Sequence, residues 1–372
     1  MAPPVRPAHM SILDTLLPLW IVLAMITGLI LGHVVPGLGS ALGAFEVGGI
    51  SLPIALGLFV MMYPPLAKVR YEKVRAITTD KRLMLVSLLL NWVVGPAFMF
   101  ALAWIFLPDE PELRTGLIIV GLARCIAMVL VWSDLACGDR EATVVLVAIN
   151  SVFQVLMFGV LGWFYLQVLP SWLGLETTSA EFSFASIVSS VLVFLGIPLL
   201  AGILSRVIGE RTIGRSWYEK KFLPAISPLA QLGLLYTIVL LFSLQGEHIT
   251  SQPWTVARAA IPLLAYFIGM FTFALLASKA SGMGYAQSAS VSFTAAGNNF
   301  ELAIAVAIGT FGTASAQALA GTIGPLIEIP VLVGLVYIIL WVGPRLFPGD
   351  PTVPPNRTPF ATSTTPKETI FS

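Results

Sequence analysis

Residues 121–132 read GLARCIAMVLVW, an apolar run that sets Arg124 and Cys125 side by side where lipid or a hydrophobic core should surround them. The rest of the chain says which. Of its 372 residues, 57% are hydrophobic and 10% charged, and the mean hydropathy is +0.91. Water-soluble domains carry roughly a quarter charged residues, so this chain belongs to the polytopic membrane class. Its apolar runs are long and continuous, which is the all-α pattern. A membrane β-barrel shows segments of about 10 residues that alternate in polarity. A net charge of +1 gives no basis for a nucleic-acid partner. The two cysteines, Cys125 and Cys137, and the scattered His9, His33 and His248 provide neither a disulfide framework nor metal-ligand spacing. No resident metal or cofactor is therefore expected.

A span needs about 20 apolar residues. Ten candidates lie near 15–35, 47–67, 83–107, 115–135, 142–169, 184–207, 223–245, 257–279, 285–311 and 322–346. Charge supports this reading, because cytoplasmic loops of membrane proteins carry an excess of Lys and Arg. With both termini cytoplasmic, 17 of the 20 basic residues fall inside: Arg6, Lys68, Arg70, Lys73, Arg75, Lys81, Arg82, Arg140, Arg206, Arg211, Arg215, Lys220, Lys221, Lys279, Arg345, Arg357 and Lys367. Arg114 and Arg258 fall outside, and Arg124 is left within the membrane. Residues 1–14 read as a short cytoplasmic tail without the cleavage pattern of a signal peptide. Residues 347–372, rich in Pro and Thr, read as a disordered cytoplasmic tail.

Ten spans divide into two sets of five, 15–169 and 184–346, and an odd-numbered repeat inserts with opposite orientation. Inverted repeats are a common plan in secondary transporters. The fourth span of each half is unusual. The first is GLARCIAMVLVWSDLACG, and the second is FTAAGNNFELAIAVAIGTFG, with Gly297, Asn298, Asn299 and Glu301 at mid-membrane depth. A shift of 174 residues sets Cys125 against Asn299, Gly138 against Gly312 and Gln154 against Glu328. Polar, glycine-interrupted segments in corresponding places point to a midplane site built from broken helices.

Arg124 at the bilayer centre costs roughly 2.5–3.5 kcal/mol on insertion scales, so it must face a cavity or pair with a carboxylate. Glu301 and Glu328 lie at similar depth. An Arg–Glu pair that merely locks two helices together is the architectural alternative. Glu328 lies between Pro325 and Pro330, which loosen the helical ladder around it. A carboxylate there can gain and lose a proton as access alternates. Cys125 by itself reads as a small buried hydrophobe, and Cys137 likewise. Asn298 and Asn299 can both donate and accept, suiting a hydroxylated solute or a sodium ion. Asn91, Asn150 and Gln154 read as interhelical hydrogen-bonding groups.

Read together, GLARCIAMVLVWSDLACGDRE, AINSVFQVL, FTAAGNNFELAIAVAIGTFG and IEIPVLVGLVY resemble the Acr-type arsenical-resistance transporters, within the superfamily of bile acid, arsenite and riboflavin transporters. The resemblance covers roughly residues 11–346. It implies a ten-span carrier, with broken and crossing fourth and ninth spans, that extrudes arsenite, As(OH)3, from the cell by proton antiport. Some members also carry antimonite. It also implies that Cys125 is the thiol ligand and Glu328 the tenth-span functional glutamate. Asn298, Asn299 and Glu301 would then handle the hydroxyls, and Arg124 would tune Glu328. In the sodium-coupled bile acid branch the ninth-span motif resembles E-x-G-x-Q-N. Here Thr294 stands where that leading acid would be. Sodium-coupled symport of an organic anion is the alternative on the same fold. A membrane-embedded enzyme is disfavoured, because no span carries a catalytic dyad.

Overall fold

The computed structural model describes residues 16–35, 37–38, 45–47, 50–69, 80–175, 184–251, 253–312 and 315–354. The segment 1–14, the basic residues Arg6, Arg70, Lys73, Arg75, Arg357 and Lys367, and the tail beyond 354 lie outside them. Twelve helices organise the described residues: α1 Leu17–Val34, α2 Leu52–Lys68, α3 Lys81–Phe106, α4 Pro111–Leu122, α5 Met128–Leu135, α6 Arg140–Trp172, α7 Phe184–Thr212, α8 Arg215–Gly246, α9 Pro253–Ala280, α10 Tyr285–Ala296, α11 Phe300–Phe311 and α12 Ala316–Leu346. A two-residue ribbon, Glu46–Val47 antiparallel to Ile50–Ser51, precedes α2. Six helices, α3, α6, α7, α8, α9 and α12, are long and apolar enough to cross a bilayer. Their outward faces carry Ile105, Leu156, Leu200, Leu232, Phe273 and Trp341, all more than half exposed, as lipid-facing residues are. The chain is a multi-pass, all-helical membrane protein.

The stretches near 115–135 and 285–311 are helix pairs with a non-helical break between the halves, as their polar, glycine-interrupted sequences suggested. One expectation changes in detail. The second helix starts at Leu52 instead of residue 47, since the ribbon occupies the preceding residues and Pro53 sits in the first turn, where its missing N–H is harmless.

Four long helices widen for one π turn, at Leu90–Val94, Phe164–Val168, Leu192–Gly196 and Tyr218–Phe222. Each turn precedes a proline by the same spacing: Pro96, Pro170, Pro198 and Pro224. A proline ring clashes with the carbonyl four residues back and donates nothing. The backbone accommodates this by reaching five residues back, as the N–H of Gly95 does to the Leu90 carbonyl and that of Leu169 to Phe164. The prolines therefore shape helices without breaking them.

Helix α8 packs on α1 and α2, and α7 packs on α2; α3, α4, α9, α10, α11 and α12 pack among themselves. Contacts of α7 with α6 and α11 join the two groups. Approach is close where side chains are small. A Cβ on Gly28 of α1, for example, would lie 2.6 Å from the Val239 carbonyl of α8. Helix boundaries recur at a fixed offset. Pro111–Leu122 and Tyr285–Ala296 differ by 174 at both ends (285 − 111 and 296 − 122), and the last residues of α3 and α9 and of α6 and α12 differ by 174 as well (280 − 106 and 346 − 172).

Candidate functional site

Helix α4 stops at Leu122, where Ala123 turns extended at φ −87° and ψ 113°. Helix α10 stops at Ala296, where Gly297 does the same at φ −72° and ψ 140°. The two breaks, 123–127 and 297–299, run past each other and pair. Arg124 faces Asn298 as a single antiparallel bridge. The Cys125 N–H donates to the Gly297 carbonyl at 3.3 Å, and the Asn299 N–H to the Ala123 carbonyl at 3.0 Å. Unwound backbone in a membrane interior must find partners within the protein, and each break supplies them to the other.

Side chains satisfy the remaining N–H groups. Gln154 of α6 accepts from the Arg124 N–H through Oε1. Glu328 of α12 accepts from the Asn298 N–H through Oε1 at 3.4 Å. Gly297 keeps the centre open: a Cβ there would lie 3.1 Å from Cys125 Cβ and 3.6 Å from Glu328 Oε1. The thiol residue and the carboxylate thus flank one glycine at the crossing, both buried. Glu301 stands in the first turn of α11, where the helix N-terminus favours negative charge.

Arg124 is fully buried, yet among the described residues it forms no ion pair with Glu301 or Glu328. The carboxylate partner that its burial suggested is replaced by oxygens from three elements. Its guanidinium donates to Tyr266 Oη at 2.8 Å, to the Ala295 carbonyl at 3.3 Å and to the Gly121 carbonyl. The two carbonyls belong to the last turns of α10 and α4, the negative ends of their helix dipoles. Two helix termini and a phenol therefore hold the charge. Gly95, directly after the π turn of α3, leaves the room, since a Cβ there would lie 2.8 Å from Arg124 Nη1.

The asparagines differ. Asn299 caps α11, its Oδ1 accepting from the Leu302 N–H at 3.1 Å, so only its Nδ2 is unpartnered. Asn298 is buried with both side-chain polar atoms unpartnered. Buried amides are nearly always hydrogen-bonded, so Asn298 is the residue here best disposed to receive a polar solute. Cys137 sits apart, in the turn after α5 at φ 56°. Among the described residues, no group of three His, Cys, Asp or Glu could hold a metal ion. Sequence reasoning brought Cys125, Asn298, Asn299, Glu301, Glu328 and Arg124 forward. It missed Tyr266 and Gly95, which lie in α9 and α3 and carry no local signal beyond an aromatic and a glycine in apolar runs. Two further arginines prove buried. Arg114 stacks 3.7 Å over Trp104, and Arg206 pairs with Glu210 at 2.9 Å and Glu219 at 3.2 Å.

Residues 55–252 match the model of the sodium bile acid symporter family. The arsenical-resistance protein Acr3 of Corynebacterium glutamicum is 78% identical over 349 residues, 94% of each chain. The arsenical-resistance protein Acr3 of Alkaliphilus metalliredigens is 31% identical over 332 residues, 87% of this chain and 90% of its own. An uncharacterized transporter of Synechocystis is 33% identical over 92% of each. The chain belongs to the Acr3 arsenical-resistance family, within the sodium bile acid symporter family, and is a membrane transporter, not an enzyme.

Proposed function

We propose that this protein extrudes arsenite, As(OH)3, from the cytoplasm in exchange for protons, with antimonite as a second cargo. The observation that carries the reading is the approach of Cys125 and Glu328 on either side of Gly297. Arsenic(III) is thiophilic and arsenite is small and hydroxylated. One thiol with amide and carboxylate neighbours binds it weakly enough for release, whereas three thiolates would hold it. Cys125 takes the arsenic, Asn298 and the free Nδ2 of Asn299 take hydroxyls, and Glu301 shapes the acidic side of the cavity. Glu328 exchanges a proton for the cargo. Arg124 serves that exchange indirectly, by fixing the ends of α4 and α10.

The transport frame is ten spans in two inverted repeats, 15–169 and 184–346, with α4–α5 and α10–α11 as the broken fourth and ninth spans. The shared offset of 174 in helix boundaries supports it. So do the paired hydrogen bonds at the crossing, since Gln154 is to Arg124 as Glu328 is to Asn298. Both termini lie in the cytoplasm of a cell-membrane protein, by the distribution of basic residues. Residues 1–14 and 347–372 are the flanking tails; in the second, of which residues 347–354 are described, Asp350 accepts from the Tyr285 N–H at the start of α10. The family description favours one other reading, sodium-coupled uptake of an organic anion. Everted vesicles separate the two. Arsenite accumulation driven by a proton gradient and abolished by an uncoupler is the expected result. Sodium-driven organic-anion transport with arsenite excluded would overturn it.

A further inference from the structure

We infer that Gln154 is the positioning residue of the 123–127 break, a proton-independent counterpart of Glu328 that holds the segment bearing Cys125 in place. Gln154 is fully buried on α6, and its Oε1 accepts the Arg124 N–H. Glu328 does the same for the Asn298 N–H. Both residue pairs are separated by the same offset (328 − 154 and 298 − 124 each give 174). The two acceptors differ in one respect. A carboxylate is a strong acceptor when ionised and a weaker one when protonated, whereas a carboxamide accepts equally at any pH. A proton on Glu328 therefore loosens the 297–299 break and leaves the 123–127 break anchored. Arg124 is adjacent to Cys125, whose own N–H is held by Gly297, so the anchor at Gln154 fixes where the thiol stands. This inference rests on the proton-coupled reading for its purpose but not for its geometry.

Titratable groups around the anchor are few. Arg124 and the Tyr266 phenol it holds face it from the break and α9, and Tyr165 lies further along α6. Cys125, Glu301 and Glu328 lie across the bridge. Helices α3, α4, α5, α7 and α10, the other elements packed nearby, carry theirs toward their ends: Lys81, Arg82, Glu112, Arg114, Asp134, Arg206, Glu210, Arg211 and Tyr285.

The test uses the full chain with Gln154→Leu and Gln154→Glu. Cys125 alkylation by N-ethylmaleimide, resolved from Cys137 by mass spectrometry, is read as a ratio to wild type at each pH. Arsenite KM and kcat are read in vesicles. Gln154→Leu should change the alkylation ratio and raise KM about fivefold or more, the order expected for loss of one buried hydrogen bond. Gln154→Glu should match wild type at alkaline pH and move toward the Leu values as its new carboxyl is protonated. Wild-type alkylation and KM in Gln154→Leu would overturn the inference, as would a Gln154→Glu variant whose ratio is the same at every pH. Should Gln154→Leu fail to insert, the pH response of Gln154→Glu decides by itself. Absence of arsenite uptake by wild type would sink the efflux reading, and the alkylation series would still decide the positioning role.

Discussion

Arg124 and Asn298 face each other as an antiparallel bridge where the breaks of the two interrupted helix pairs cross. Everything polar at the crossing is arranged about that contact. Backbone pairs flank it, Gln154 and Glu328 take the two bridge N–H groups, and Gly297 leaves space between a thiol and a carboxylate. Interiors are packed tightly enough that one added methyl is felt.

Gly297→Ala should reduce arsenite transport by about tenfold or more, the scale on which displacements of an ångström act on positioned groups. The new methyl would crowd Cys125 Cβ at 3.1 Å and the Phe293 carbonyl at 3.2 Å. Initial uptake rates, normalised to inserted protein, check this. Wild-type rates would mean that the space at Gly297 is not used.

Asn299 serves as a helix cap, so Asn299→Ala should destabilise the protein by about 1 kcal/mol, the usual worth of an N-cap side chain. Asn299→Asp keeps the acceptor for the Leu302 N–H and should keep the stability. Thermal melting in detergent distinguishes the pair, and equal melting of both variants would remove the capping role.

Asp350 supplies the cap that Gly284 cannot, its Oδ2 accepting the Tyr285 N–H at 2.7 Å at the start of α10. Partial burial pushes its carboxyl up, but hydrogen bonds from Thr352 and from the Tyr285 N–H outweigh that and leave it below the usual carboxylate value. A depressed folded-state pKa stabilises above the unfolded value and loses that contribution as pH falls through the folded one. Wild type should therefore melt above Asp350→Asn near neutral pH, and the gap should close only in acid, below about pH 4. A gap that widens on acidification would contradict this.

Much of this was legible in the sequence, and the failures have physical causes. Both breaks could be read because polar residues and glycines in apolar runs are costly unless they line a site. The offset of 174 could be read from three matched positions, although sequence identity between the halves is thin. The π turns could not, because a proline announces a lost donor without saying whether the helix kinks or widens. Arg124 misled in one respect. A buried cation suggests a carboxylate, but the carbonyls of two helix ends and a Tyr 142 residues away do the work instead, and only the crossing brings them together. Asn299 reads equally well as ligand or cap until the start of α11 is fixed.

Arsenite uptake into everted vesicles under an imposed proton gradient, compared between wild type and Cys125→Ser, tests the central claim most directly. Wild type should accumulate arsenite and lose it on addition of an uncoupler. Cys125→Ser, inserted to the same level, should fall to the rate of empty vesicles. Undiminished, gradient-driven uptake by Cys125→Ser would contradict the account and return this buried thiol to a packing role.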